Sequence, residues 1–257
     1  MSLLTESRNG VAWLTLNRPE VHNAFDETLI DGLTEAFTMA ASDPAVRAIV
    51  LRALGKSFSA GADLNWMKRM AGFSEAENFA DAKRLAELLR VIDTCPKPTI
   101  ARVHGHAFAG ATGLIACCDL AVAVTEAEFA ITEVRLGLIP AVISPYLVRA
   151  MGARQARRWF LTAERFSAEQ ALAMNLIHEV VSAEELDPCV DHWLDAIRKA
   201  GPNALAAAKQ LVRAVDQTPE AAIIEDTAKR IAAIRASAEG KEGVASFLEK
   251  RKPGWAQ

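Results

Sequence analysis

No run of about eighteen uncharged apolar residues occurs in the chain, so no membrane-spanning helix is indicated. Nor is there an excess of charge of one sign. The 29 Lys and Arg stand against 32 Asp and Glu, which leaves no global field to draw in nucleic acid or an anionic membrane. Aromatics are scarce, at 6% with a single tyrosine, and no basic stripe interleaved with aromatics offers a platform for RNA. Cysteine is scarce too: Cys95, Cys117, Cys118 and Cys189. The neighbours 117 and 118 do not direct both thiols comfortably into one metal site, and no second pair stands at zinc-ligand spacing. The four therefore read as core cysteines of a reducing compartment, and no metal is expected. The opening MSLLTESRNG lacks the basic region and apolar stretch of a secretory signal peptide. Together these absences lead us to expect a cytoplasmic protein with neither membrane nor nucleic-acid partner.

Several catalytic signatures are missing as well. Without G-x-G-x-x-G, a nicotinamide or flavin fold is disfavoured. Ser57, Ser59 and Ser144 lie outside any G-x-S-x-G elbow, which counts against covalent hydrolase chemistry. His104 and His106 belong to no H-E-x-x-H pattern and read as histidines that satisfy backbone groups. In SFSAGADL (57–64) no Lys-Ser/Thr pair follows the glycine, so a nucleotide P-loop is unsupported.

What remains is a chain of 257 residues, 51% hydrophobic, long enough to bury a substantial core as one large domain or one domain with a helical appendage. VAWLTLN (11–17), VRAIVLRA (46–53), TIARVHG (99–105) and DLAVAV (119–124) read as strands. Between them, Asp26 can cap a helix with Leu29, Ile30, Leu33 and Phe37 on one face, a second helix spans about 75–91, and a short buried helix lies near 110–118. Alternating strands and helices predict a parallel sheet with helices outside. Beyond residue 145 helical patterns dominate, at 145–150, 153–162, 167–173, 183–199, 203–215, 218–235 and 241–250, and only LIHEVV (176–181) is strand-like. The alanine-rich helices from Ala204 onward either close their own core or pack against neighbouring subunits.

Two small-residue loops follow two of the strands: SFSAGADL and GHAFAG (105–110). Each alone reads as a tight turn. As a pair they can present two backbone N–H groups to one carbonyl oxygen, which is what an enolate or tetrahedral oxyanion requires. Asp63 is either a helix cap or part of that site. In AEFAITEVRLGLIP (127–140), Glu133 sits between apolar segments, where burial would raise its pKa toward neutrality and suit it to proton transfer. Pairing with Arg135 or with solvent on a strand edge is the other reading. Glu126 and Glu128 alternate with apolar positions and read as solvated. FLEKRKPGW (247–255) places Lys250, Arg251 and Lys252 at a helix end, where they are solvated or meet a phosphorylated ligand.

Over essentially its full length the chain resembles the crotonase (enoyl-CoA hydratase/isomerase) superfamily. NRPEVHNAFD (17–26), SFSAGADL (57–64), KPTIARVHGHAFAG (97–110), CCDLAVA (117–123) and FAITEVRLGLIP (129–140) occur in that family's order and spacing, and FLEKRKPGW resembles its closing helix. The resemblance implies an α/β fold, a spiral of β-β-α turns. Residues 1–195 would form the core with the CoA-thioester site. Residues 196–257 would form a helical C-terminal region for trimerisation and closure of the CoA site, giving a homo-trimer or a hexamer built as a dimer of trimers.

The resemblance also carries site residues over. It implies an oxyanion hole from the N–H groups of Ala62 and Gly110, and a proton-transferring Glu133. It implies a CoA cleft from Val21, His22, Ala24, Ser59, Ala60, Asp63 and Leu64, with Lys250 reaching phosphate. No tightly bound cofactor is implied; coenzyme A arrives as part of the substrate. Where the closest hydratases carry a first glutamate, this chain has Gly113. The wording HNAFD, SAGADLNWM and ARRWFLTAERF is most similar to bacterial 3-methylglutaconyl-CoA hydratases of leucine breakdown, a group that also carries glycine there. A carboxygeranoyl-type hydratase, a Δ3,Δ2-enoyl-CoA isomerase, and a non-catalytic CoA-ester or RNA-binding scaffold stay open. His106, Arg69 and Arg135 are candidates to meet a distal carboxylate on the acyl group.

Overall fold

Strands covered on both faces read as continuous apolar runs, and the runs seen in the sequence become the larger of two sheets. The structure is a computed structural model that describes residues 1–215, 228–229, 231–233 and 235–251. Its strands are β1 (Leu3–Arg8), β2 (Val11–Leu16), β3 (Ala48–Ala53), β4 (Ser57–Ser59), β5 (Thr99–Val103), β6 (His106–Phe108), β7 (Leu120–Val124), β8 (Glu128–Ala130), β9 (Arg165–Ser167) and β10 (Glu179–Val181). Six of them form one sheet in the order β1-β2-β3-β5-β7-β10, and four form another in the order β4-β6-β8-β9. The pairs β1–β2 and β8–β9, each at a sheet edge, are antiparallel and every other pairing is parallel. The large sheet's central strands are nearly solid with buried Val, Ile, Leu and Ala.

The helices are α1 (Glu27–Ser42), α2 (Leu64–Met70), α3 (Glu75–Thr94), α4 (Gly110–Cys117), α5 (Ser144–Thr162), α6 (Ala168–Ala173), α7 (Leu186–Lys199), α8 (Pro202–Val215) and α9 (Ala238–Leu248). They explain the two sheets. The chain runs up a strand of the large sheet, turns a corner into a three-residue strand of the small one, and returns through helix. This happens with β3 and β4, with β5 and β6, and with β7 and β8. The result is the α/β crotonase-like spiral of β-β-α turns, with a helical C-terminal region.

Local chemistry sets the boundaries. Asp26 accepts from the Leu29 amide at the start of α1, Asp63 from Asn65 and Trp66 at the start of α2, and Ser74 forms a capping box with Glu77 on α3. Gly152 breaks α5 with φ 77°, ψ 154°, where the sequence had separated two helices. The anticipated helix over 218–235 and the tail from Lys252 onward lie for the most part outside the described residues. Strand β9 is a departure: three residues with one buried phenylalanine carry no period to read. Among the described residues no helix is long and apolar enough to cross a membrane.

Candidate active site

Parallel strands deliver their C-terminal ends to one edge of a sheet, and β4, β6 and β8 lie side by side in parallel. The chain therefore leaves all three at the same place, through Ala60–Asp63, Ala109–Gly110 and Ile131–Glu133. A cavity of about 1060 Å³ opens there, lined among others by Ala62, Gly110 and Glu133.

The first two loops touch. A Cβ on Gly61 would stand 3.0 Å from the Ala109 Cβ, so Ala62 and Gly110 are each the next residue beyond one contact. Ala62 is bridged to Phe25 in parallel fashion: the Phe25 amide donates to the Gly61 carbonyl (2.7 Å) and the Asp63 amide to the Phe25 carbonyl (2.7 Å). Its flanking residues make those bonds, so the N–H of Ala62 itself faces away from Phe25. Gly110 is the first residue of α4, where a helix N–H has no partner within the helix. Ala109 before it holds φ 50°, ψ −123°. That is a strained conformation for a residue with a Cβ, costing on the order of 1–3 kcal/mol. Two amides that are unspent among the described residues, at the edge of one cavity, are suited to grip a carbonyl oxygen that gains negative charge.

Arg18 ties the loop before α1 to this edge. Its guanidinium donates to the Ala24 carbonyl (2.8 Å) and pairs with Asp26 (2.9 Å) and Asp63 (2.8 Å). Asn23, fully buried, donates to the carbonyls of Leu54 (2.7 Å) and Ser57 (2.9 Å). His22 and Asn23 are both left-handed, at φ 53° and 54°, and the bend lets the His22 carbonyl accept from the Ala60 amide (2.9 Å). The Asp63 carboxylate is thus committed to capping α2 and to Arg18, which holds it below the usual carboxylate range despite burial.

Glu133 opens a 3-10 turn, Glu133–Leu136, rather than a strand edge. Its Oε2 is buried with no hydrogen-bond partner. Burial pushes its carboxyl up to about 7, outweighing the backbone amides of Glu133 and Thr132 and the charge of Arg235. Among the described residues no Glu133–Arg135 ion pair forms, and Arg135 is exposed at the cavity. Packing against Ile143 explains Gly113. A Cβ built there would lie 2.3 Å from Ile143 Cγ2 and 2.8 Å from Ile143 Cβ. Ile143, a cavity-lining residue, occupies the space a side chain at 113 would need, so the wall there carries hydrocarbon.

Of the residues expected to meet coenzyme A, Val21, His22, Ala24, Ala60, Asp63, Leu64 and Lys250 line the cavity. Ser59 does not: it is fully buried, and its hydroxyl accepts from the Gly61 amide (3.2 Å). His104 and His106 satisfy backbone groups, the Gly55 carbonyl (2.9 Å) and the Glu128 amide (3.1 Å) respectively. Arg69 is engaged by Glu27 (2.6 Å). The sequence reading had passed over Lys68 and Lys241, exposed at the cavity rim with Lys250, because isolated lysines on helices carry no local signal. It had also passed over Arg18 as the organiser and Arg235 as a member of the wall. All four cysteines are free thiols. Among the described residues no group of three or more His, Cys, Asp or Glu side chains could hold a metal ion.

The family model described as enoyl-CoA hydratase/isomerase matches residues 6–257. A crotonyl-CoA hydratase of Syntrophomonas wolfei is 32% identical over 253 residues, covering 98% of this chain and 96% of that protein. The crystal structure of an enoyl-CoA hydratase from Shewanella pealeana shares 44% identity at a TM-score of 0.82, over 99% of this chain and 96% of that one. One from Mycobacterium avium shares 35% at 0.85, over 99% and 98%. The chain belongs to the enoyl-CoA hydratase/isomerase family, the crotonase superfamily. It is an enzyme that acts on CoA thioesters.

Proposed function

We propose that the protein is a hydratase that adds water across the double bond of a 2-enoyl-CoA, using Glu133 as its single proton-transferring carboxylate. The observation that carries this reading is the unpartnered, buried Oε2 of Glu133 on a cavity also lined by Ala62 and Gly110. The N–H groups of those two residues hold the thioester oxygen and draw electrons toward it, leaving C3 electrophilic. Glu133 takes a proton from water as the water oxygen bonds to C3. It then returns a proton to C2, where the electron pair of the former double bond collects. A lost oxyanion donor costs about 3 kcal/mol in such sites, a hundredfold or more in rate. Lys68, Lys241 and Lys250 at the rim suit the phosphates of coenzyme A, and Arg18 keeps the Val21–Ala24 loop shaped against it.

The wording of the sequence favours 3-methylglutaconyl-CoA as the acyl group, in cytoplasmic leucine breakdown, and the family resemblance favours a trimer or a dimer of trimers. One observation favours a second reading. With Ile143 filling the space beside Gly113, one carboxylate must serve, and moving a double bond needs only one. Turnover in H₂¹⁸O separates the two: the hydratase product gains labelled oxygen, whereas a Δ3,Δ2-isomerase yields product without it. Conversion of a 3-enoyl-CoA with no label uptake would replace the hydratase reading by the isomerase one.

A further inference from the structure

The cavity wall holds a buried cation that the hydration mechanism does not use. Arg235 lines the cavity together with Trp66, Met67, Met70 and Ile231, each of which is 3–6% exposed. The lysines, by contrast, are exposed at the rim. Its setting is built with some care. Nη1 donates to Asp81 Oδ2 (3.0 Å), the Trp66 indole N–H donates to the other oxygen, Oδ1 (3.1 Å), and the guanidinium carbon stands 5.9 Å from the Trp66 ring centroid. Asp81 and Trp66, from α3 and α2, therefore fix where the guanidinium sits. Yet a guanidinium has five N–H donors, and among the described residues this one makes a single hydrogen bond, to Asp81. Its Nε is buried with no hydrogen-bond partner among those residues.

A fixed, desolvated cation with unspent donors on an apolar wall is matched by a carboxylate, the planar anion that guanidinium binds best. We propose that Arg235 is a specificity-determining residue that receives a carboxylate at the far end of the acyl chain. The substrate class is then an enoyl-CoA whose acyl group is itself an acid, and Asp81 and Trp66 are the positioning residues for the cation. The inference rests on the hydratase reading above and sharpens its substrate. Arg69 and His106 are ruled out of this role because neither lines the cavity.

The test compares two unreactive saturated ligands that differ only in the terminal group: glutaryl-CoA and butyryl-CoA. Their dissociation constants are measured by calorimetry on the wild-type enzyme and on Arg235→Met and Arg235→Lys. Wild type is expected to prefer glutaryl-CoA, and Arg235→Met to reduce that preference about 10- to 100-fold. Arg235→Lys is expected to restore part of it. The readout is the ratio of the two ligands, so general loosening of the pocket, which weakens both alike, is not mistaken for recognition. Equal weakening of both ligands would assign Arg235 a structural role and overturn the inference. So would a shifted pH profile with the preference intact, which would make Arg235 a modulator of Glu133. A preference surviving in Arg235→Met would place carboxylate recognition elsewhere and leave the acidic-substrate reading standing. No preference in wild type would remove that reading together with Arg235's role, while leaving hydration of uncharged enoyl-CoA intact.

Discussion

Glu133 carries two linked consequences at the scale of the residue. As a base it must be ionised to take a proton from water, and its carboxyl is pushed up to about 7 by burial. The rate of hydration at low substrate, kcat/KM, should therefore fall below pH ~7, and that of the reverse dehydration should fall with it, because there the same ionised carboxylate takes the C2 proton and passes it to the departing hydroxyl. The same burial costs stability. The folded-state value lies above the ordinary 4.5, so the protonated form is favoured by folding. That contribution is present at low pH and is lost as pH rises from about 4.5 through 7. Glu133→Gln should accordingly melt higher than wild type at pH 8, by up to about 3 kcal/mol of stability, and match it near pH 4.5. Equal melting differences at the two pH values would show that the carboxyl is not desolvated. Gly113 and Ile143 form a second residue-scale pair. With Ile143 Cγ2 in the way at 2.3 Å, Gly113→Ala should destabilise by about 1–3 kcal/mol. Ile143→Ala in the same chain should relieve most of that clash, and urea unfolding of the double-mutant cycle reads the coupling. Additive costs would mean the two positions do not compete for space.

Elements show where a sequence speaks and where it does not. The long buried strands β2, β3, β5 and β7 were legible as apolar runs, α1 as a periodic face behind the capping Asp26, and α3 as a periodic face alone. Glu133, Ala62 and Gly110 were reached through flanking pattern and resemblance, and the structure brings all three to one cavity. The small sheet was invisible. β4, β6, β8 and β9 have three residues each, too few to display alternation, and they exist because neighbouring turns of the spiral pair them. It is nevertheless this sheet that collects the loop ends. Contacts made across long sequence separations, such as Arg18 to Asp63 and Arg235 to Asp81, have no local signature at all. The clearest example is α9. A Cβ on Gly243 would fall 1.7 Å from the Leu136 carbonyl oxygen, so glycine alone lets α9 rest on the turn that begins at Glu133. Gly243→Ala must push the helix off that turn, moving Lys241 and Lys250 with it. A loss of about 10- to 100-fold in kcat/KM is expected. Unchanged kinetics on enoyl-CoA would show that α9 does not brace the site.

At the scale of the whole molecule, two sheets and a helical cover converge on one cavity. Loops after the small sheet supply its amides and its acid, α2 supplies Lys68, and the C-terminal region supplies Lys241, Lys250 and Arg235. Leu161, Leu211 and Val212 are 62–71% exposed on α5 and α8, surfaces that the proposed assembly would cover. Sedimentation should give three or six times the 27.7 kDa chain mass, and a monomer at micromolar concentration would remove the assembly from the account. The chemistry is tested most directly by pairing turnover with binding in Glu133→Gln. Loss of about 10²- to 10⁴-fold in kcat for enoyl-CoA hydration, with the dissociation constant for butyryl-CoA within a few-fold of wild type, is the predicted result. Turnover near that of wild type, with binding retained, would contradict it.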